Sequence, residues 1–211
     1  WRQAACSFLP SPKRQTPQNE LADNARLMNT ADLLKAHLPS DITPAPKVRW
    51  KPNVTVAALI ERDGRFLLVE EETSDGLLLN NPAGHLDPGE SPIEGVIRET
   101  LEETTCTFTP EGFLGVYMSR FRRTRTGEDI TYLRMAFCGS VSEANPALQL
   151  DEGIVRTVWM TADEIRACPD RHRSPLLLEC VESYLAGRRY PLDLVTVHDS
   201  LFAAPSYHRA S

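Results

Sequence analysis

Apolar and β-branched runs alternate with turn signals through the middle of the chain. "NVTVAALIE" and "RFLLVEEE" are joined by "RDG". An Asp-Gly pair between two such runs predicts a tight β-hairpin. "GLLLNNP" predicts a further short strand halted by Pro82, and "AGHLDPGE" a turn-rich loop. The period then changes. Ile93, Val96, Ile97 and Leu101, with Thr100 and Thr104, recur at helical spacing and predict a helix that packs this face on a sheet. Ser91 can cap it, Pro92 suits its first position, and Glu94 completes a capping box. "FLGVYMSRF" and "ITYLRMAFCGSV" predict a second hairpin across "RRTRTGED", and "IVRTVWM" a further strand. "TADEIRAC" predicts a short helix with a threonine cap, and "SPLLLECVESYLAG" a last helix ended by Gly187. The order predicts an α+β fold, an α/β/α sandwich around a mixed central β-sheet.

Residues 1–50 follow no such pattern. They carry Pro10, Pro12, Pro17, Pro39, Pro44 and Pro46 and few periodic apolar runs, which predicts a disordered leader and linker. A short helix is expected at Thr30–His37. The first methionine, Met28, opens "MNTADLLKAHLPSD", which reads like a protein start, so Trp1–Leu27 reads as upstream sequence whose removal leaves activity unchanged. The folded domain is expected over residues 51–190, with a tail over 191–211. A length of 211 residues suits one such domain plus appended chain.

Charge and cysteines narrow the function classes. The net charge of −6 argues against a dedicated nucleic-acid binder. The five cysteines form no C-x-x-C pair, and their number is odd, which predicts free thiols in a reducing, cytoplasmic compartment. No apolar run approaches the roughly 18 residues of a membrane span, and the first residues lack the apolar core of a secretory signal. A monomer and a dimer are both compatible with the pattern.

The predicted central helix carries Arg98, Glu99, Glu102 and Glu103 in "RETLEE". The helical period puts the three glutamates on one side, opposite the apolar face. Each like-charge pair three or four residues apart costs about 0.2–0.5 kcal/mol, and the helix dipole disfavours negative charge in the last turns. A solvated acidic face is one reading. A hard-cation site is the other: Mg²⁺ and Mn²⁺ take oxygen ligands, and Gly84 allows a backbone carbonyl to approach closely.

Gly84, then five residues, Glu90, then seven residues, then "RETLEETTC" resembles the Nudix box. Gly84, Glu90, Arg98, Glu99, Glu102 and Glu103 all match it. Thr105 stands where the family has a glycine that caps the helix in a left-handed turn, which puts the cap geometry in question. The resemblance implies a Nudix α/β/α sandwich and hydrolysis of a nucleoside diphosphate linked to another group. It implies Mg²⁺ or Mn²⁺ held by Glu99, Glu102 and Glu103, with a backbone carbonyl at Gly84. Arg98 would orient the glutamates, and Glu90 would support the loop or the outer metal shell. The general base would be a glutamate of the box or Glu152; a turn residue before a strand is the other reading of Glu152.

Around the box the signals are weaker. "RFRRTR" at 120–125 reads as an exposed hairpin loop or a phosphate contact, with Arg120 the member closest to the strand. Tyr117, Phe121 and Trp50 are candidate stacking partners or core aromatics, and Trp159 reads as core. His85 and Asp87 lie in the loop beside the candidate metal site. Arg122 stands where ADP-ribose hydrolases place a proline, and residues 122–124 lack the tyrosine of diadenosine polyphosphate hydrolases. "VTVAALIERDGRFLLVEEE", "NNPAGHLDPGES" and "RETLEET" resemble the NudJ-type phosphatases of bacteria. That resemblance implies release of orthophosphate from nucleoside tri- and diphosphates and thiamine-type pyrophosphates. A nucleotide-sanitising pyrophosphohydrolase and a non-catalytic binding module of the same fold are the rivals.

Overall fold

A computed structural model describes residues 49–123 and 126–204. The helix expected at Thr30–His37, the reading of Trp1–Leu27, and part of "RFRRTR" lie outside the described residues. Among the described residues seven strands and three α-helices follow in order: β1 (Asn53–Arg62), β2 (Arg65–Thr73), β3 (Gly76–Asn80), β4 (Ala83–His85), α1 (Pro92–Thr104), β5 (Phe108–Arg122), β6 (Asp129–Val141), β7 (Ile154–Thr161), α2 (Ala162–Arg166) and α3 (Leu176–Leu185). Asp63 and Gly64 both take positive φ, 53° and 76°, so the "RDG" hairpin closes through the turn predicted for it.

The sheet is mixed, with order β3-β2-β1-β6-β5; β4 pairs with β1, and β7 with β2. β1 is the shared strand. Asn53–Ile60 run parallel to β6, Thr55–Ala57 pair antiparallel with β4, and Glu61 and Arg62 pair with β2. Alternation along the strands feeds two apolar layers. Leu59, Phe66, Leu68, Leu114 and Ala136 pack toward Ile165 of α2 and Leu177, Cys180 and Val181 of α3. Val56, Ala58, Ile60, Phe113 and Phe137 pack with Val96 of α1 on the other side. This is the expected α/β/α arrangement.

Two expectations are corrected. Residues 83–85, expected as loop, form β4, because their backbone completes the hydrogen bonding of β1 from Thr55 to Ala57. The three glutamates, expected opposite the buried face of the helix, do not all lie there. Glu99 and Glu103 are buried at 9% and 7% exposure, while Leu101 is exposed at 36%. β4 covers the Glu99–Glu103 side, and that cover decides which stripe of α1 is inside. Beyond α3, Tyr190 and Phe113 exchange two backbone hydrogen bonds of 2.8 Å, and Leu192 and Val195 pack on the α1-side core.

Candidate active site

α1 is fixed at both ends. Ser91 Oγ accepts from the Glu94 N–H at 3.2 Å, and Glu94 Oε2 accepts from the Ser91 N–H at 2.8 Å, the reciprocal capping box read from the sequence. At the other end Thr105 adopts φ 59° and donates its N–H to the Leu101 carbonyl at 2.9 Å. The left-handed cap is kept without the family's glycine.

Between these ends glycines stand at two close approaches, one of β4 to the helix and one of the helix to the loop before it. A Cβ on Gly84 would collide with the carboxylate of Glu99. A Cβ on Gly95 would sit 2.9 Å from Glu90 Oε1. Glu103 Oε2 accepts from the Ala83 N–H at 2.8 Å. Two carboxylates of one helix face therefore press on two successive backbone units of β4.

Arg98 neutralises much of this charge. Its guanidinium forks onto Glu90, with Nε–Oε2 at 3.0 Å and Nη2–Oε1 at 2.7 Å. Nη1 donates to Glu99 Oε1 at 2.8 Å and to Glu102 Oε2 at 3.0 Å, and Nη2 to the His85 carbonyl at 3.1 Å. The Asp87 N–H donates to Glu90 Oε1 at 2.7 Å. His85 thus joins the site through its main chain, and Asp87 through its main chain and a carboxylate oxygen 3.9 Å from Arg98 Nη2. The hydrogen bonds to Glu90, above all, hold the Arg98 charge more firmly than usual. Arg98 in turn lowers the Glu90 pKa. Burial raises Glu99, and it pushes Glu103 up to about 9.

Residues outside the box also meet here. Asp151 donates its N–H to the Glu102 carbonyl at 2.9 Å, tying the 151–152 turn to the end of α1. Glu152 is exposed and donates its own N–H to Asp151 Oδ1 at 2.8 Å. Glu71 pairs with Arg173 at 3.1 Å and accepts from Asn80 Nδ2 at 3.0 Å. The charges of Glu71 and Asp151 reach Glu103 and help raise its pKa. Sequence reasoning missed Glu71 and Asp151. The "EEE" run of β2 carried a signal, since a strand covered on both faces must enclose some of its carboxylates.

Arg120 and Tyr117 stand elsewhere. The Arg120 side chain is 71% exposed, forms an ion pair with Asp129, and makes no hydrogen bond to the α1 glutamates among the described residues. Trp50, 69% exposed, lines an open groove with Arg120, Met118 and Thr131. Tyr117 is half-buried and packs on the α3-side core. Phe121 stacks on Tyr132 at 5.9 Å. Trp159 packs on the α1-side core, with the Arg62 guanidinium 5.1 Å from its ring centre.

The donor set suits a hard divalent cation: carboxylates of Glu99, Glu102 and Glu103, and main-chain oxygen next to Gly84, whose missing Cβ leaves the approach open. A cation would also offset the cost of ionising two buried carboxylates. Among the described residues no three such side chains already converge for ligation, and Arg98 holds an oxygen of both Glu99 and Glu102.

Known proteins resemble this chain in sequence and fold. The NUDIX domain profile matches residues 49–178, more than half of the chain. Phosphatase NudJ of Escherichia coli K12 is 34% identical over 146 residues, covering 69% of this chain and 92% of the relative. Phosphatase NudJ of Shigella flexneri matches to the same extent. A solved NUDIX hydrolase from Nitrosomonas europaea is 50% identical, with a TM-score of 0.65, covering 71% of this chain and 99% of that one. A MutT protein from Methanosarcina mazei Go1 is 25% identical with a TM-score of 0.53, covering 67% of this chain and 100% of that one. With its box, its sandwich and these relatives, the chain belongs to the Nudix hydrolase family.

Proposed function

We propose that this protein is a divalent-cation-dependent phosphatase that cleaves phosphoanhydride bonds of nucleoside tri- and diphosphates and of thiamine-type pyrophosphates, releasing orthophosphate. The observation that carries the reading is the pair of carboxylates, Glu99 and Glu103, pressed against the backbone of Ala83 and Gly84. The likeness to the NudJ phosphatases supports the choice of products. Glu99, Glu102, Glu103 and a main-chain oxygen beside Gly84 would hold Mg²⁺ or Mn²⁺. When bound, the cation supplies Lewis-acid activation of a phosphoryl oxygen and of the attacking water.

The chain's own residues do the rest. Arg98 would release Glu99 and Glu102 to the cation while its fork on Glu90 keeps the helix and the Gly84 loop in register. Glu90 works through Arg98 and the Asp87 N–H and is a positioning residue. Glu152, exposed on the turn tied to Glu102, can take a proton from water, as can a glutamate of the box. Arg120 and Tyr117 remain candidates for contacts with the part of the substrate beyond the phosphates. The described cysteines are all free, which suits a reducing, cytoplasmic setting.

The test measures orthophosphate and pyrophosphate in parallel, with Mg²⁺, over nucleoside di- and triphosphates, thiamine pyrophosphate and ADP-ribose. Orthophosphate from nucleotides and thiamine pyrophosphate is the expected result. Pyrophosphate from a single triphosphate would replace this reading with a sanitising enzyme. Turnover of nothing, with the cation bound, would leave a binding module.

A further inference from the structure

Four side-chain atoms are shut off from solvent without a hydrogen-bond partner among the described residues: Thr55 Oγ1, Asn81 Nδ2, Arg134 Nε and Tyr117 Oη. Native proteins leave few such atoms, and each calls for a water or a ligand. These four are neighbours. Thr55, Arg134 and Tyr117 stand side by side on β1, β6 and β5, so their side chains leave the same face of the sheet. Asn81 joins them through Oδ1, which accepts from Arg134 Nη1 at 3.4 Å, and Asn80 Oδ1 accepts from Nη2 at 3.3 Å. Thr55, Asn81 and Arg134 are only 7%, 1% and 6% exposed.

Arg134 is the anomaly. A buried guanidinium is ordinarily matched by a carboxylate. Its hydrogen bonds here are two long ones to neutral amides. The nearby acids are engaged elsewhere. Glu71 faces Arg173 and Asn80, and Glu103 faces Ala83. The Cys180 thiol lies against Arg134, but burial pushes it up to about 11, so it brings no negative charge.

The unmet capacity has one chemistry. Arg134 Nε and Asn81 Nδ2 can only donate, and the two hydroxyls can donate as well. Such a set fits an anion rich in acceptor oxygens. Its place fits too. Thr55 pairs with Arg134 on one side and with His85, next to Gly84, on the other. Arg134 therefore lies two strand spacings, about 10 Å, from β4. An open groove lined by Tyr117, Ser119, Pro175, Leu176 and Glu179 meets the row at Tyr117.

We propose that Thr55, Asn81 and Arg134 form a phosphoryl-binding subsite that holds one phosphate of the substrate's chain beside the Glu99–Glu103 site. This rests on the phosphoanhydride reading above. The probe is inorganic pyrophosphate, titrated calorimetrically into the full chain with a chelator present, and followed in parallel by thermal melting. The wild-type protein should bind and melt higher. Arg134→Met should bind about tenfold more weakly or worse. Its own melting temperature without pyrophosphate should be equal or higher, since it removes an unpaired buried cation. Thr55→Val should weaken binding several-fold, and it decides the question if Arg134→Met does not fold. No binding by the wild-type protein, or equal binding by both variants, would overturn the subsite and leave the row to ordered water. Phosphoanhydride turnover with KM unchanged in Arg134→Met would sink the subsite and spare the proposed function. Pyrophosphate binding through Arg134 without turnover of any compound would do the reverse.

Discussion

Gly84 and Glu99 share a space that admits no extra carbon. Gly84→Ala should therefore displace the Glu99 carboxylate or β4 itself, at a cost of about 1–3 kcal/mol. Turnover should fall at least about 100-fold. Urea unfolding and a phosphate-release assay read the two effects, and full activity would refute the close approach. Glu103→Gln keeps an acceptor for the Ala83 N–H but loses the charge. It should abolish turnover with no loss of stability, because a buried carboxyl is exchanged for a neutral amide. Unchanged activity in both Glu102→Gln and Glu103→Gln would remove the cation-site assignment. At this scale the box was legible because the spacing of Gly84, Glu90 and "RETLEE" resembles a known family pattern. Glu71 and Asp151 were not, since they approach Glu103 from a separate strand and turn. Nor was the burial of Arg134, because nothing local in "TYLRMAF" distinguishes a buried arginine from an exposed one.

Among the elements, α1 shows what a local pattern can and cannot reveal. Its start was legible, since the capping box involves only residues 91–94. Its buried stripe was not, because β4 is three residues long and owes its existence to pairing with β1. The C-terminal cap adds a prediction. Thr105 bears the strain of φ 59° that glycine avoids. Thr105→Gly should raise stability by up to about 1 kcal/mol, less whatever packing the threonine side chain provides. A lower urea midpoint would show that the buried threonine side chain matters more than the backbone.

For the molecule as a whole, Glu70 is one carboxylate through which acid acts on stability. It is almost fully buried on β2, and it holds Arg156 of β7 at 2.7 Å and Arg171 of the loop before α3. The hydrogen bond from Arg156, more than any other influence, lowers its pKa. A carboxylate lowered in the fold stabilises it above the unfolded value, near 4.5, and that support is lost as pH falls through the folded value. Glu70→Gln should cost about 2 kcal/mol at pH 7, since both arginines are half-exposed and screened. The gap to wild type should shrink steadily below pH 4.5. A gap independent of pH would mean that shape, not charge, joins these elements. At the same scale, removing Trp1–Leu27 should leave kcat/KM unchanged, since the family match begins at residue 49. A large loss would make the leader part of the enzyme.

β1 is held by β6 along one edge and by β4 and then β2 along the other. Val56, Ala57, Ala58 and Leu59 are at most 1% exposed. Neither half of the sandwich can peel away without tearing this strand. Fraying, which sets hydrogen exchange in most loops and edge strands, has no route to it. The amide protons of residues 56–59 should be the last in the protein to exchange with deuterium, at the rate of global unfolding. The backbone that presents Gly84 to the glutamates is thus anchored to the slowest-opening part of the chain.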